Sequence, residues 1–247
     1  MQAQKTLLLL GATSDIGRAT ALCYARAGWR IVLTARNIEA AHRNVKDITT
    51  RSGSEVGILP LDILATDQFG AFVGNLAPLP DTVVCVIGEL GDQLRAQTDL
   101  EHASVVMRTN FEGPALLLGL FAEKFAARGF GTIVGVSSVA GDRGRGSNYV
   151  YGAAKAGFTA FLSGLRNRLV SAGVRVVTVK PGFVRTRMTA HMKLAPGLTA
   201  APDEIARAIY NAAEKSDRDV VYVRPIWWLI MAVIRAIPER IFKKLKL

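Results

Sequence analysis

The 247-residue sequence is short of cysteine, histidine and acidic residues, with 2 Cys, 3 His and 20 Asp+Glu against 31 Lys+Arg. Two cysteines exclude a disulfide-framed mini-protein. Cys23 and Cys85 also lack metal-ligand spacing, so both are expected to be buried core thiols of a chain kept in a reducing compartment. No window reaches the roughly 18 to 20 consecutive apolar residues of a membrane span; the nearest, 226–234, is bounded by Arg224 and Arg235. At the N-terminus only Lys5 precedes a four-leucine run, which is too short for a signal peptide and reads as a first strand. From these absences the chain is expected in the cytoplasm or on the cytoplasmic side of a membrane. Repeats, low-complexity tracts and Pro/Ser-rich linkers are also missing, which argues for a single domain. What is present is apolar, half of all residues, and a chain of this size buries roughly three quarters of its unfolded surface.

The basic excess is uneven. Residues 1–124 hold 11 basic and 13 acidic side chains, net −2, whereas residues 125–247 hold 20 and 7, net +13. A surplus confined to one half suggests an anionic partner: nucleic acid, an anionic membrane or a phosphorylated substrate. Nucleic acid is disfavoured, because no recognition motif or aromatic-basic platform accompanies the charge.

Apolar runs rich in β-branched residues occur at 6–10, 30–34, 55–61, 82–87, 132–136, 174–179 and 220–223. Continuous apolarity marks strands buried on both faces. Helical patterns fall between them at 16–27, 38–50, 66–76, 99–128, 150–171 and 202–215. The alternation predicts an α/β single-domain Rossmann fold: a doubly wound, seven-stranded parallel sheet with helices on both faces, spanning 1–223 and including a substrate lid at 183–200. An apolar and basic tail, 224–247, follows.

The first run leads into Gly11-Ala12-Thr13-Ser14-Asp15-Ile16-Gly17 and then a helix. Strand, glycine-rich turn and helix N-terminus are what a dinucleotide needs. Gly11 permits the tight turn, Gly17 permits close helix packing, and free N–H groups from Ser14 to Gly17 face the pyrophosphate. Asp15 is awkward, since a carboxylate repels a pyrophosphate unless it caps the helix or meets Arg18 or Arg36. Arg36, just past the second strand, stands where a basic residue accepts the 2′-phosphate of NADP(H). Asp62 ends the third run and is placed either to bond the adenine or, three or four residues early, to cap the following helix.

Tyr151 and Lys155 lie four apart on a predicted helix and so share a face. A tyrosine with a pKa of ~10 is lowered by a neighbouring ammonium, so the pair can give a proton to a carbonyl oxygen or take one from an alcohol. Ser138, just past a strand in 136–141, is placed to hold the same oxygen. With the glycine turn, these residues make the chain resemble the short-chain dehydrogenase/reductase family across nearly its whole length. That resemblance implies that Tyr151 is the general acid, Ser138 orients the carbonyl, Lys155 binds the nicotinamide ribose and tunes Tyr151, and Asn110 holds a proton-relay water. It also implies cofactor contacts from Gly88, Pro181, Gly182, Val184 and Thr186. Two features depart from the family pattern: Asp15 replaces a glycine, and 86–91 (Val-Ile-Gly-Glu-Leu-Gly) stands where Asn-Asn-Ala-Gly is usual, so side-chain bracing of that turn is in question.

The last 24 residues combine Trp227, Trp228 and an apolar stretch with a basic end, a composition that suits a membrane interface. The competing reading is that they cover the sheet or a subunit interface. Arg143 and Arg145, in the loop before Tyr151, and Arg187, His191 and Lys193, in the lid with Met188 and Met192, suit an anionic head on a hydrocarbon chain; His191 alone reads as a surface residue. The stretches 88–92, 184–191 and 237–245 are similar to members of the family that reduce polyprenylphosphoryl 2-keto-pentoses. This narrower resemblance implies a lipid-linked sugar phosphate substrate, a flavin-dependent oxidase as functional partner, peripheral membrane contact, and NAD(H) as the alternative to NADP(H). A homo-oligomer is expected. The alternative function is a soluble carbonyl reductase for an acyl, quinone or steroid substrate.

Overall fold

The computed structural model describes residues 4–190 and 192–245. Its strands are β1 (Thr6–Leu10), β2 (Arg30–Ala35), β3 (Val56–Pro60), β4 (Thr82–Cys85), β5 (Gly131–Val136), β6 (Val174–Pro181), β7 (Phe183–Val184), β8 (Thr199–Ala200) and β9 (Val220–Val223). Seven of them form one parallel sheet in the order β3-β2-β1-β4-β5-β6-β9, and β7 and β8 pair separately. Each expected strand is present within a residue or two at its ends. The reversal of order between β1 and β4 opens a crevice beyond their carboxyl ends, where ligands bind in sheets of this kind.

Helices α1 (Asp15–Arg26), α2 (Ile38–Ser52), α3 (Phe69–Gly74), α4 (Leu100–Met107), α5 (Gly113–Arg128), α6 (Tyr149–Leu169) and α7 (Pro202–Glu214) connect the strands. Along β1 the period of two divides the leucines between the two faces. Leu7 and Leu9 join a core with Tyr24, Ile31 and Ile205, whereas Leu8 and Leu10 join another with Phe121, Phe125 and Phe158. Cys85 is buried in β4, but Cys23 is only half-buried on α1, because its neighbours Leu22 and Tyr24 take the inward positions. The helical stretch expected over 99–128 is interrupted by a π turn, Arg108–Glu112, between α4 and α5. Such a turn re-aims side chains, and here it sends Asn110 into the interior with no exposed surface.

The C-terminal segment folds as α8 (Ile226–Ala236) and α9 (Glu239–Phe242). Trp227 and Met231 are buried against Val139, Phe183, Leu198 and Tyr222, so α8 is built onto the lid. Arg224 turns the chain from β9 into α8 at φ 61°, a left-handed conformation uncommon for a residue with a Cβ. Its guanidinium is held by Glu204 at 2.9 Å and by the carbonyls of Pro196 and Gly197. Arg143 was expected to face substrate, but it instead caps α8. It donates to the carbonyls of Ile234 and Ile237 at 2.7 and 2.6 Å and to Glu239, and stacks 3.7 Å from the Phe242 ring. Carbonyls at a helix C-terminus lack their usual i+4 donors, and Ile234 keeps only a long bond from the Ile237 N–H at 3.4 Å, so the guanidinium supplies the donors there. Among the described residues no helix is long and apolar enough to cross a membrane.

Candidate active site

The glycine turn joins β1 to α1 as a backbone cradle. Gly11 has φ +99°, and a Cβ on Gly17 would lie 2.4 Å from the Gly11 carbonyl oxygen, so neither position accepts another residue without a shift. Ser14 is the helix cap, its Oγ accepting from Gly17 N–H at 2.9 Å, which leaves Asp15 free for another partner. That partner is neither Arg18, which lies 3.4 Å from Asp47, nor Arg36. It is Arg187 of the lid, which donates to the Asp15 carboxylate from its backbone N–H at 2.8 Å and from Nε at 3.2 Å. Arg36 lines a cleft with Gly11, Ser14, Thr34, Gly88 and Glu89. Asp62 does not cap the following helix; its carboxylate accepts from Leu64 N–H at 3.0 Å, while Leu61 and Ile63 line the cleft beside it. Ile16 packs on the core beneath α1. The glycine cradle, the helix N-terminus and Arg36 fit a nicotinamide dinucleotide.

Tyr151 and Lys155 sit one turn apart on α6, and four close contacts fix that helix against the end of β5. Ser137 donates to the Lys155 carbonyl at 3.0 Å and pairs with the Thr159 hydroxyl at 2.6 Å. A Cβ on Gly141 would stand 2.7 Å from Lys155 backbone, and one on Gly152 would stand 3.0 Å from the Ala140 carbonyl. Ser138, with its Oγ accepting from Ala140 N–H at 3.1 Å, is thereby held opposite Tyr151. Asn110 braces the turn after β4: its Oδ1 accepts from Glu89 N–H at 3.2 Å and its Nδ2 donates to the Glu89 carbonyl at 2.6 Å. The bracing that the sequence 86–91 put in question is therefore supplied from the π turn. Gly88 is where these groups converge, since a Cβ there would lie 2.9 Å from Asn110 Oδ1 and 3.2 Å from Lys155 Nζ.

The electrostatics differ from expectation. Burial raises the Tyr151 phenol above its ordinary value, and the counterweights are Ser138 and Arg145 rather than Lys155. The Lys155 ammonium lies 5.8 Å from the Tyr151 ring centroid and donates to the Val136 carbonyl at 3.2 Å. It is itself pulled down to about 8 by burial. Without a bound cofactor, both groups are thus displaced toward their neutral forms.

Against Ser138 and Tyr151 lies a pocket walled by Leu90, Arg145, Phe183, Met188, Met192 and Trp227. Gln93 and Asn148 extend it beside Tyr151. Three buried polar atoms here have no protein partner among the described residues: Gln93 Nε2, Asn148 Oδ1 and Arg145 Nε. Buried polar groups are seldom left unpaired, so these three stand out as unmet hydrogen-bonding groups beside Ser138 and Tyr151.

Comparison with known proteins matches residues 5–196 to the short chain dehydrogenase model. An uncharacterized oxidoreductase of Mycobacterium tuberculosis is 34% identical over 243 residues, covering 97% of this chain and 96% of that one. The chain is a short-chain dehydrogenase/reductase. An uncharacterized oxidoreductase of Streptomyces coelicolor is also 34% identical, over 251 residues, covering 98% of this chain and 96% of the relative. Among solved structures, a short-chain dehydrogenase of Burkholderia cenocepacia in complex with NADP shares the fold at a TM-score of 0.80, with 23% identity and 97% and 96% of the two chains covered. The protein is accordingly an NAD(P)-dependent oxidoreductase of the carbonyl-reducing type.

In this short-chain reductase the fold brings together Gly11, Ser14, Gly17, Arg36 and Gly88 around the cleft, and Asn110, Ser138, Tyr151 and Lys155 beside Gly88 and the adjoining pocket. Pro181, Gly182 and Val184 line the pocket, and Thr186 lies in the lid, its N–H bonded to Thr189 at 3.2 Å. Of the basic residues expected at the substrate, Arg145 is at the pocket, Arg143 is not, Arg187 faces the phosphate turn and Lys193 is exposed. His191 lies outside the described residues. Sequence reasoning missed Ser137, Gln93, Asn148 and the role of Trp227. Of these, Ser137 alone had a local signal, as the neighbour of Ser138.

Proposed function

We propose that this short-chain reductase acts as a decaprenylphosphoryl-2-keto-ribose reductase, reducing the 2-keto group of a polyprenylphosphoryl pentose made by a partner flavin-dependent oxidase. The observation that carries the reading is the mixed pocket: unpartnered Arg145 Nε, Gln93 Nε2 and Asn148 Oδ1 beside Leu90, Met188, Met192 and Trp227. Polar groups with unmet hydrogen bonds suit a hydroxylated, phosphorylated head, and the flexible apolar wall suits the prenyl chain next to it. Tyr151 gives its proton to the carbonyl oxygen, and burial favours the protonated phenol needed for that step. Ser138 orients the oxygen, Lys155 holds the ribose of the cofactor, and Asn110 braces the turn after β4 beside them. The nicotinamide, when bound, supplies the hydride. Arg36 in the cleft supports NADP(H) over NAD(H).

The substrate is lipid-linked, and α8 is suited to meet the membrane that carries it. On its inward face Trp227 walls the pocket and Met231 is buried beside it, while Trp228, Leu229 and Val233 are 57%, 52% and 58% exposed. Arg235, Arg240, Lys243 and Lys244 follow and form no ion pair among the described residues. Basic residues near an anionic leaflet are worth about 1 kcal/mol each. We place the protein at the cytoplasmic face of a membrane. Exposed apolar residues on α4, the π turn and α5, including Met107, Phe111, Leu116 and Leu120, support pairing with a second copy.

The test is oxidation of reduced nicotinamide by the purified protein, supplied with the flavin-oxidase product in anionic liposomes. Turnover is expected there and not with acyl, quinone or steroid ketones. Tyr151→Phe is expected to lower it at least about 100-fold with cofactor affinity intact. Turnover confined to soluble ketones, with no flotation on the liposomes, would overturn the reading in favour of a soluble carbonyl reductase.

A further inference from the structure

We propose that Arg187 is a cofactor-phosphate residue delivered by the lid, and that Asp15 anchors it at the glycine turn. The inference rests on dinucleotide binding by a short-chain reductase and is independent of which ketone is reduced. Asp15 is the first residue of α1, where the helix N-terminus favours an anion. A bare carboxylate there would oppose the diphosphate of a nicotinamide dinucleotide. Both of its oxygens are instead occupied from a residue 172 positions away, by the backbone N–H of Arg187 at 2.8 Å and by its Nε at 3.2 Å. Arg187 Nη2 also donates to the Thr13 carbonyl inside the same turn.

The guanidinium is therefore clamped by its Nε edge while its side chain remains 76% exposed. Its remaining N–H groups are left for a ligand, in a hollow also bordered by Arg18, Arg43 and Asn44. A guanidinium offers five donors in a fixed fork, so a carboxylate on one edge leaves donors for a phosphate on the other. Seated this way, Arg187 cancels the charge of Asp15 and presents N–H groups to the diphosphate. Arg187 immediately follows Thr186 in the lid, so docking of the lid and neutralisation of the turn are one event. When the lid lifts, Arg187 leaves and Asp15 is exposed as a repulsive charge, which couples cofactor retention to lid position.

The test measures NADPH affinity of the full chain by titration, at low and high salt, together with hydrogen exchange of the lid over 185–190. Arg187→Ala leaves Asp15 uncompensated and is expected to weaken NADPH binding by about tenfold or more at low salt, with much of the loss removed at high salt. Asp15→Gly alone removes the repulsion with the anchor. It is expected to keep affinity within about threefold of wild type while exchange of the lid accelerates. The double variant Asp15→Gly with Arg187→Ala is expected to bind at least about threefold more tightly than Arg187→Ala alone, because the unpaired carboxylate is gone. Two results would overturn the proposal: Arg187→Ala binding NADPH as tightly as wild type, or a double variant no tighter than Arg187→Ala. Rescue by a second substitution is not what a merely misfolded variant shows. Failure of the substrate assigned above leaves these titrations unchanged.

Discussion

Replacing Lys155 by methionine removes a buried ammonium while keeping most of the volume of its stem. Lys155 is 3% exposed, and its Nζ has one hydrogen-bond partner among the described residues, the Val136 carbonyl at 3.2 Å. Burial pulls its proton affinity from 10.5 to about 8, a difference worth about 3 kcal/mol against the folded, charged form at neutral pH. The methionine variant recovers that amount and gives back about 1 kcal/mol for the unpaired Val136 carbonyl. Without cofactor it is expected to be about 2 kcal/mol more stable than wild type at pH 7. Between about 8 and 10.5 the folded lysine has lost its proton and the unfolded one still holds it. The unfolded chain then binds more protons, so wild-type stability rises with pH and the advantage of the variant shrinks to nearly nothing by about pH 10. Urea denaturation of both proteins at fixed protomer concentration, at pH 7 and pH 10, measures this, and turnover is expected to be lost in the variant throughout. A variant less stable than wild type at pH 7, or a difference that does not change with pH, would refute the reasoning.

Asp142→Ala removes the carboxylate that Lys180 meets at 2.5 Å and the Tyr222 hydroxyl meets at 2.7 Å, leaving a buried ammonium alone. It is expected to cost about 3–5 kcal/mol in urea denaturation. Spectrophotometric titration should also show Tyr222, held at about 12 by burial and Asp142, falling toward the ordinary tyrosine range. Gly182→Ala places a methyl 1.9 Å from the Trp227 indole, so α8 must shift from the pocket wall. A loss of about 1–3 kcal/mol and an altered tryptophan emission spectrum are expected.

Much of the fold was legible because its signals are local. The four leucines of β1 announce a strand buried on both sides, the glycines at 11 and 17 announce a turn that a Cβ would block, and the four-residue spacing of Tyr151 and Lys155 puts them on one helix face. Each of these depends on neighbours a few residues away, and strand or helix periodicity reports such neighbours directly. The π turn was hidden because one extra residue in a helical run leaves its apolar pattern almost unchanged, yet it turns Asn110 inward.

Charge illustrates the boundary between the two kinds of information. The sequence by itself determined that the basic excess lies beyond residue 124, and that a phosphate turn and a Ser-Tyr-Lys set occur in one α/β chain. The tertiary structure alone decided where individual charges sit: Arg143 on the end of α8, Arg224 on Glu204 and the lid, Arg187 on Asp15, and Arg145 at the pocket with its Nε unpartnered among the described residues. It also decided that Trp227 faces the pocket while Trp228 faces out. The physical reason is that a long cationic side chain satisfies its donors wherever packing brings an oxygen within about 3 Å. For Arg143 and Arg187 those oxygens are 91 and 172 residues away, a separation no local pattern encodes.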